Sequence, residues 1–334
     1  MVAIRFEDMK QQFIRILTKM DFPEDKAQTC ARIFAENSLD GIYSHGVNRF
    51  PRFIEYVQKG YINPHAKAEK VASMGGIEQW DGKLAPGPTN ALLASERVMQ
   101  LALENGIGLL ALGNTNHWMR GGTYGWHCAK KRFAFIGWTN TIANLPAWGA
   151  KECKLGNNPL VFAIPYQDEA IVLDMAMSQY SYGKMEDLQR KNEQLPLPGG
   201  FNKKDELSTL PGEILETRRP LPIGYWKGAG LSLMLDLLAT ILSAGLSTSQ
   251  ITRQSQDEYG ISQVFVAIDL KQLPNFPAIE KTVQAILDDF LEAEKTDPDG
   301  SIRYPGQHTY KTRMKNLKNG IPVSEQIWNE ILGF

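Results

Sequence analysis

Cysteine is scarce in this sequence: Cys30, Cys128 and Cys153 are the only three in 334 residues. Their spacing matches neither a disulfide framework nor a zinc site, so a stapled scaffold is excluded and no metal is expected. A reducing, cytoplasmic setting fits such usage. An excess of charge is also missing. Lys plus Arg number 36 against 37 Asp plus Glu, a net charge of −1, and nothing here argues for nucleic acid or an anionic membrane as partner. No apolar run is long enough to span a bilayer. The longest, Leu231 to Ala244, contains Asp236 and reads as a buried core helix. The first residues are charged and lack the apolar run of a secretory signal. Repeats, low-complexity tracts and heptads are absent too. What remains is a chain long enough for a large core, with small neutral or anionic molecules as its expected ligands.

Apolar periodicity predicts a helix over 6–20, closed by Asp21-Phe22-Pro23, and a second up to Gly41. A third carries Phe50, Phe53, Ile54 and Val57 on one stripe. From Ala66 the texture changes to short strand-like runs at 70–74 and 77–80, then a long helical pattern ending at Asn105. Strands are predicted over 107–112, 133–139, 160–165, 170–175 and 261–270. A charged helical pattern covers 183–195, and 196–224 is proline-rich without sustained periodicity. An amphipathic helix over 277–295 and two terminal helices, 309–319 and 322–332, complete the chain.

Three stretches carry candidate chemistry. In Ser44-His45-Gly46-Val47-Asn48-Arg49, a proton donor and an anion clamp stand four residues apart, which on a helix is one face. Imidazole can protonate the oxyanion left by hydride addition to a ketone, and guanidinium can grip a carboxylate with two parallel hydrogen bonds. The plainer reading is a helix start with Ser44 as N-cap and both side chains in water. Pro51 would place His45 before the helix and loosen the one-face argument. The second stretch, Gly113 to Gly125, follows a strand and contains His117 and Gly121-Gly122, whose N–H groups could approach phosphate; a turn with a buried histidine is the alternative. The third is Gly224-Tyr225-Trp226-Lys227-Gly228-Ala229-Gly230, a site candidate or simply a glycine-rich helix entry. Asp174, at a strand end, could hold ribose hydroxyls or cap a turn. Gly106-Ile107-Gly108-Leu109-Leu110-Ala111 matches a dinucleotide fingerprint but closes a helix and precedes a strand, the reverse of what a Rossmann turn requires.

Taken together, YSHGVNRFPRFI at 43–54, NHWMRGGTYGW at 116–126, PAWGAKEC at 146–153, DMAMSQYSYG at 174–183, GYWKGAG at 224–230 and DEYGISQ at 257–263 resemble the malate and L-lactate dehydrogenases of the non-Rossmann type. The resemblance runs essentially end to end. It implies an α/β fold with a mixed sheet flanked by helices, and NAD(P)H-dependent reduction of a small 2-keto acid by a homodimer with cofactor near the subunit interface. His45 would donate the proton, with Ser44 and Arg49 fixing the substrate and His117 the next candidate donor. NADH, preferred over NADPH, would lie along Ala170, Ile171, Val172, Leu173, Asp174, Met175 and Ala176, with Trp226-Lys227 and Gly306, Gln307 and His308. The chain departs from the family at Asn157, commonly Thr, and at Gln307, where relatives often place His directly after Gly. The expected organisation is a helical region over 1–65 bearing His45, a sheet core over 66–270, and helices over 271–334 packing back. Rival readings are a malate-, lactate- or cyclic imino acid-type reductase, and a non-catalytic sugar-acid binding protein.

Overall fold

The chain opens with a short strand, β1 (Val2–Ile4), and two helices, α1 (Phe6–Lys19) and α2 (Glu24–Leu39). This computed structural model describes every residue, Met1–Phe334. Helix α1 buries Met9, Phe13, Ile16 and Leu17, spaced so that all four fall on one stripe. Two single turns of 3-10 helix, Tyr43–His45 and Val47–Arg49, lead into α3 (Phe50–Gln58). Phe13 stacks on Phe50, with ring centroids 4.1 Å apart, and this fixes α3 and the preceding turns against α1. The final strand of the chain, β13 (Ile321–Val323), pairs antiparallel with β1, and Ile331 joins the same apolar cluster. Both short strands escaped the periodicity reading, because three residues are too few to show a period.

The middle of the chain builds the sheet. In order come β2 (Glu69–Met74), β3 (Ile77–Asp81), α4 (Gly87–Asn105), β4 (Ile107–Thr115), α5 (Gly121–Lys130) and β5 (Phe133–Thr139). A hairpin, β6 (Ala143–Pro146) and β7 (Cys153–Gly156), precedes β8 (Leu160–Tyr166) and β9 (Glu169–Met175). Helix α6 (Tyr182–Arg190) stops earlier than its charged pattern suggested. The proline-rich stretch after it is not structureless: it holds β10 (Gly200–Phe201), β11 (Leu207–Ser208) and α7 (Pro211–Thr217). Then follow α8 (Trp226–Ser243), α9 (Thr248–Gln254), β12 (Ile261–Asp269), α10 (Phe276–Leu291), α11 (Gln307–Asn319), β13 and α12 (Glu325–Gly333).

Seven strands form the central sheet in the order β2-β3-β4-β12-β5-β8-β9. Only β3 and β4 run parallel; the remaining pairs are antiparallel. Gly106 caps α4 at φ 80° and leads into β4, so the fingerprint-like glycines do end a helix, and the order of strands is not Rossmann. Helices α4 and α5 cover one face, where Val98, Ala102, Tyr124 and Cys128 meet Leu110, Phe135, Val161 and Phe265. Helix α8 covers the centre of the other face through Leu235 and Ala239 against Ala111, Trp138 and Val264. The expectation that α8 is fully buried is overturned. Leu233, Met234, Leu237, Leu238 and Ile241 are exposed, because the helix is apolar all round while the sheet covers one side of it. Strands β4, β5 and β9 end at the same edge of the sheet where β8 and β12 begin, so the segments 116–120, 139–142, 176–180 and 257–260 converge there.

Candidate active site

His45 and Arg49 do not share a helical face. Pro51 occupies the first turn of α3, which begins at Phe50, so both residues precede that helix on separate 3-10 turns. Gly46 lies between them at φ −117° and ψ −123°. A Cβ on Gly46 would fall 2.3 Å from Ser38 Oγ and 2.8 Å from Ser38 N, so only glycine lets these turns dock on the end of α2. The docking is hydrogen-bonded throughout. Val47 N–H donates to Ser38 Oγ (2.8 Å), Asn37 Nδ2 donates to the His45 carbonyl (2.9 Å), and Thr123 Oγ1 donates to Asn37 Oδ1 (2.7 Å). The backbone beneath His45 is thereby tied to both α2 and α5.

His117 arrives from the end of β4. Its Nδ1 accepts the Met119 N–H at 2.9 Å, which leaves the ring proton on Nε2, 4.0 Å from Glu258 Oε1. The ring lies 5.7 Å from that of His45 at an interplanar angle of 22°. Ser44 Oγ is 3.0 Å from His45 Nδ1 and steers that ring in turn. Both histidines are half-buried.

The charges around the rings are largely positive. Burial, then Arg49 and Arg120, push His45 down to about 4. Burial, then Arg49, His45 and Arg52, hold His117 well below the usual histidine range. Glu258 is buried and its carboxyl is raised by that burial, against the opposing pull of Arg49 and the N–H of Ile142, which donates to Glu258 Oε2 at 3.2 Å. Arg120 Nη1 donates to Asp40 Oδ2 (2.7 Å) and Arg313 Nε to Asp40 Oδ1 (2.6 Å), so one carboxylate fixes Arg120 near His45 and ties α11 to α2. The Arg120 guanidinium also lies 4.9 Å from the Trp126 ring centre. Arg52, Glu258, Arg120 and Asp40 were missed by the sequence reading. Arg52, Glu258 and Arg120 stood inside stretches that had been singled out, but a single charged residue carries no periodic signal.

The segments expected to meet a dinucleotide are partly gathered. Val172 N–H donates to Pro305 O at 3.3 Å, and Gly306, at φ 86°, packs on Val172 and Trp126. The turn at Pro305-Gly306 therefore packs on the edge strand β9 at Val172. Gln307 Oε1 is buried without a partner there. Asp174 resolves toward capping: its Oδ2 accepts the Gly122 N–H at 2.7 Å, at the start of α5. That carboxylate takes the place proposed for phosphate at Gly121-Gly122, and a Cβ on Gly121 would strike Val161 and Trp118. Just past β9, Ser178 bridges to Pro222 and Ile223 N–H donates to Met177 O (2.8 Å), which brings the start of α8 to the same edge. Trp226 and Lys227 are exposed there and make no hydrogen bond to β9. Asn157 is a bracket: its Oδ1 accepts from Ser178 Oγ (3.0 Å) and its N–H donates to Thr141 Oγ1 (3.0 Å).

A polar cleft with two stacked imidazoles and unpaired guanidinium groups can bind an oxygen-rich anion and move a proton. No group of three or more His, Cys, Asp or Glu side chains is arranged to hold a metal. The malate/L-lactate dehydrogenase family profile matches residues 4–332. A 2,3-diketo-L-gulonate reductase of Salmonella paratyphi B is 46% identical over 330 residues, covering 99% of both chains. Among solved structures, the malate dehydrogenase of Entamoeba histolytica superposes with a TM-score of 0.93 at 23% identity, covering 99% of this chain and 96% of that one. The sulfolactate dehydrogenase of Methanocaldococcus jannaschii gives 0.90 at 27% identity, covering 99% and 95%. With its α/β fold, its mixed seven-stranded sheet and a full-length match, this chain belongs to the malate/L-lactate dehydrogenase family of oxidoreductases.

Proposed function

We propose that this protein reduces 2,3-diketo-L-gulonate to 3-keto-L-gulonate, with His45 as proton donor. The observation that carries the reading is the placement of His45 in a half-buried cleft, steered by Ser44, stacked on His117 and beside Arg49. The substrate assignment is drawn from the name of the relative at 46% identity. In this reading Arg49 grips the substrate carboxylate, Ser44 orients the imidazole, and His45 delivers its proton to the oxygen of the reacting carbonyl. Binding a carboxylate beside Arg49 supplies the negative charge that His45 lacks in the free protein, so the donor is charged as the substrate arrives.

The family implies a nicotinamide cofactor, which when bound supplies a hydride. The edge of β9 fits such a group, because Gln307 Oε1 is a buried acceptor without a partner and Gly306 leaves bare backbone beside Val172. Ala170 to Ala176, Gly306, Gln307 and His308 would hold it, with Trp226 and Lys227 at the same edge. NADH is favoured over NADPH. With Oδ2 on the Gly122 N–H, Asp174 keeps Oδ1 without a protein partner, which suits a ribose diol and opposes a further phosphate. The exposed apolar side of α8 supports a homodimer. No helix alone is long and apolar enough to cross a membrane, and three free cysteines suit the cytoplasm.

The test is loss of nicotinamide absorbance when the protein is mixed with NADH or NADPH and a panel of 2-keto acids. Fastest turnover with NADH and 2,3-diketo-L-gulonate is expected. Faster turnover of oxaloacetate, pyruvate or a cyclic imino acid would replace the substrate assignment, and no turnover of any of them would remove the catalytic reading.

A further inference from the structure

Beside His117, on the side lined by Arg49 and Arg52, lies a narrow cleft with room between its walls for about one water-sized group. Arg49, Arg52, Tyr56, Asn116, His117 and Met119 line it. Its chemistry is lopsided in a useful way.

Several polar groups in its wall lack partners in the protein. Arg49 and Arg52 make no hydrogen bond or ion pair, although both sense Glu258. The Nε2–H of His117 has only Glu258 Oε1, at 4.0 Å, too far for a hydrogen bond. Asn116 is 1% exposed, and its Oδ1 has no partner at all. An amide flip does not remedy this. Asn116 Nδ2 donates to the carbonyls of Leu84 (2.9 Å), Tyr61 (3.1 Å) and Ala85 (3.2 Å), so its orientation is fixed by three acceptors. Tyr56, by contrast, is spent: its hydroxyl donates to Asp257 Oδ1 (3.4 Å) and accepts the Glu258 N–H (3.2 Å). An orphaned buried acceptor is costly unless something donates to it.

We propose that Arg52, with Asn116 and His117, forms a subsite that reads oxygen atoms beyond the reacting carbonyl, and so selects long, oxygen-rich 2-keto acids over three-carbon ones. This rests on the reading of His45 and Arg49 as the reacting end. Arg49 lines this cleft and stands beside His45. A chain held there by its carboxylate, with the reacting carbonyl at His45, passes its next atoms along His117 toward Arg52. The subsite offers cationic and N–H donors together with one buried acceptor. Its complement is a tail carrying carbonyl oxygen and at least one hydroxyl hydrogen. Pyruvate has neither, and oxaloacetate has a second carboxylate without the hydroxyl.

Arg52→Met tests this, because Arg52 is exposed and its loss leaves the core intact. The ratio of kcat/KM for 2,3-diketo-L-gulonate to that for pyruvate should fall by about tenfold or more, the scale of a lost charged hydrogen bond, with pyruvate nearly unchanged. An equal fall on both substrates would make Arg52 a second carboxylate clamp and overturn the proposal. No fall on the long substrate would overturn it as well. A binding readout separates failure of the subsite from failure of the reductase reading. By calorimetry, wild type should bind L-gulonate more tightly than L-lactate, and Arg52→Met should lose that margin while lactate binding stays. If wild type shows no margin, the subsite is wrong even where the enzyme reduces 2-keto acids. If the margin is present and no 2-keto acid is reduced, the subsite stands and the reductase reading falls.

Discussion

His45 and His117 stack with their ring centroids 5.7 Å apart and their planes 22° from parallel, so two titrating rings share one cleft with Arg49. Two adjacent imidazolium charges among guanidinium groups would repel, and both rings stay neutral near pH 7 in the free protein. His45→Ala is expected to lower turnover in reduction about a hundredfold or more while NADH binding, read by fluorescence, stays. The pH profile carries the sign. Free His45 protonates only near 4, so kcat/KM for reduction should fall as pH rises above that value. A bound carboxylate raises the pKa, so kcat should fall only at higher pH. Coincident falls would mean that no substrate charge reaches His45, and normal turnover in the alanine variant would move the donor to His117.

Arg49→Lys keeps the charge but loses the planar fork. Substrate affinity should weaken more than tenfold, with NADH affinity within about twofold, because a bidentate grip on a carboxylate is worth about 1.5–3 kcal/mol. Separate titrations decide it. Unchanged substrate affinity would remove the carboxylate from Arg49.

Gly46→Ala adds one carbon where Ser38 Oγ would stand 2.3 Å away. Overpacking of this kind costs about 1–3 kcal/mol. The strain falls on the turn carrying His45, so kcat should drop severalfold or more while most of the fold survives. Thermal melting beside steady-state kinetics checks this; a variant with wild-type kcat would show that the turns adapt without moving His45.

Strand β3, next to the edge strand β2, is anchored by one carboxylate. Glu78, 2% exposed, receives Arg97 Nη2 on Oε1 (2.7 Å) and Arg97 Nε on Oε2 (2.9 Å), and Trp80 Nε1 donates to Oε2 (2.9 Å). The Arg97 hydrogen bonds, against burial, hold its carboxyl down to about 2. A depressed acid stabilises the fold above its unfolded pKa near 4.5, and that stabilisation is lost as pH falls through about 2. Arg97→Met should cost about 1–3 kcal/mol at pH 7, since it leaves Glu78 with only Lys70, at 3.4 Å, and the Trp80 N–H. Urea melts at pH 7 and pH 3 should show a smaller cost at pH 3. An equal cost at both would assign the effect to packing.

The sequence disclosed the long elements and hid the short ones. Strands β4, β5, β8, β9 and β12 and helices α1 and α4 announced themselves because each buries one stripe or face over many residues, and α10 by its amphipathic pattern alone, since it buries only Leu287. Strands β1 and β13 are three residues each and depend on each other from opposite ends of the chain, which no local pattern records. The candidate site was legible as residue types near one another in sequence, His45 with Arg49, and not in its geometry. The i, i+4 argument was replaced by two turns seated on Ser38, and Glu258 came from a distant segment through β12. Helix α8 misled for a physical reason: an all-apolar helix reads the same whether a sheet or a second subunit covers its outer side.

That outer side supports the last prediction. Ile241 is 70% exposed and Trp226 65%, and Met234, Leu237 and Leu238 lie open between them. Apolar area on this scale is rare on a monomer, and covering each side chain is worth about 1.5–3 kcal/mol. If a second copy covers it, a charge at its centre must be desolvated in the dimer and not in the monomer. Leu237→Asp and Ile241→Asp should each leave the fold intact, since neither side chain packs into the sheet, and should shift the protein from dimer to monomer in light scattering at micromolar concentration. Trp226 and Lys227 begin the same helix, at the edge where β9 ends, so activity should fall with dissociation and recover in part at high protein concentration. A variant that stays dimeric and fully active would place the interface elsewhere; one that becomes monomeric with undiminished activity would separate the cofactor surface from the partner subunit.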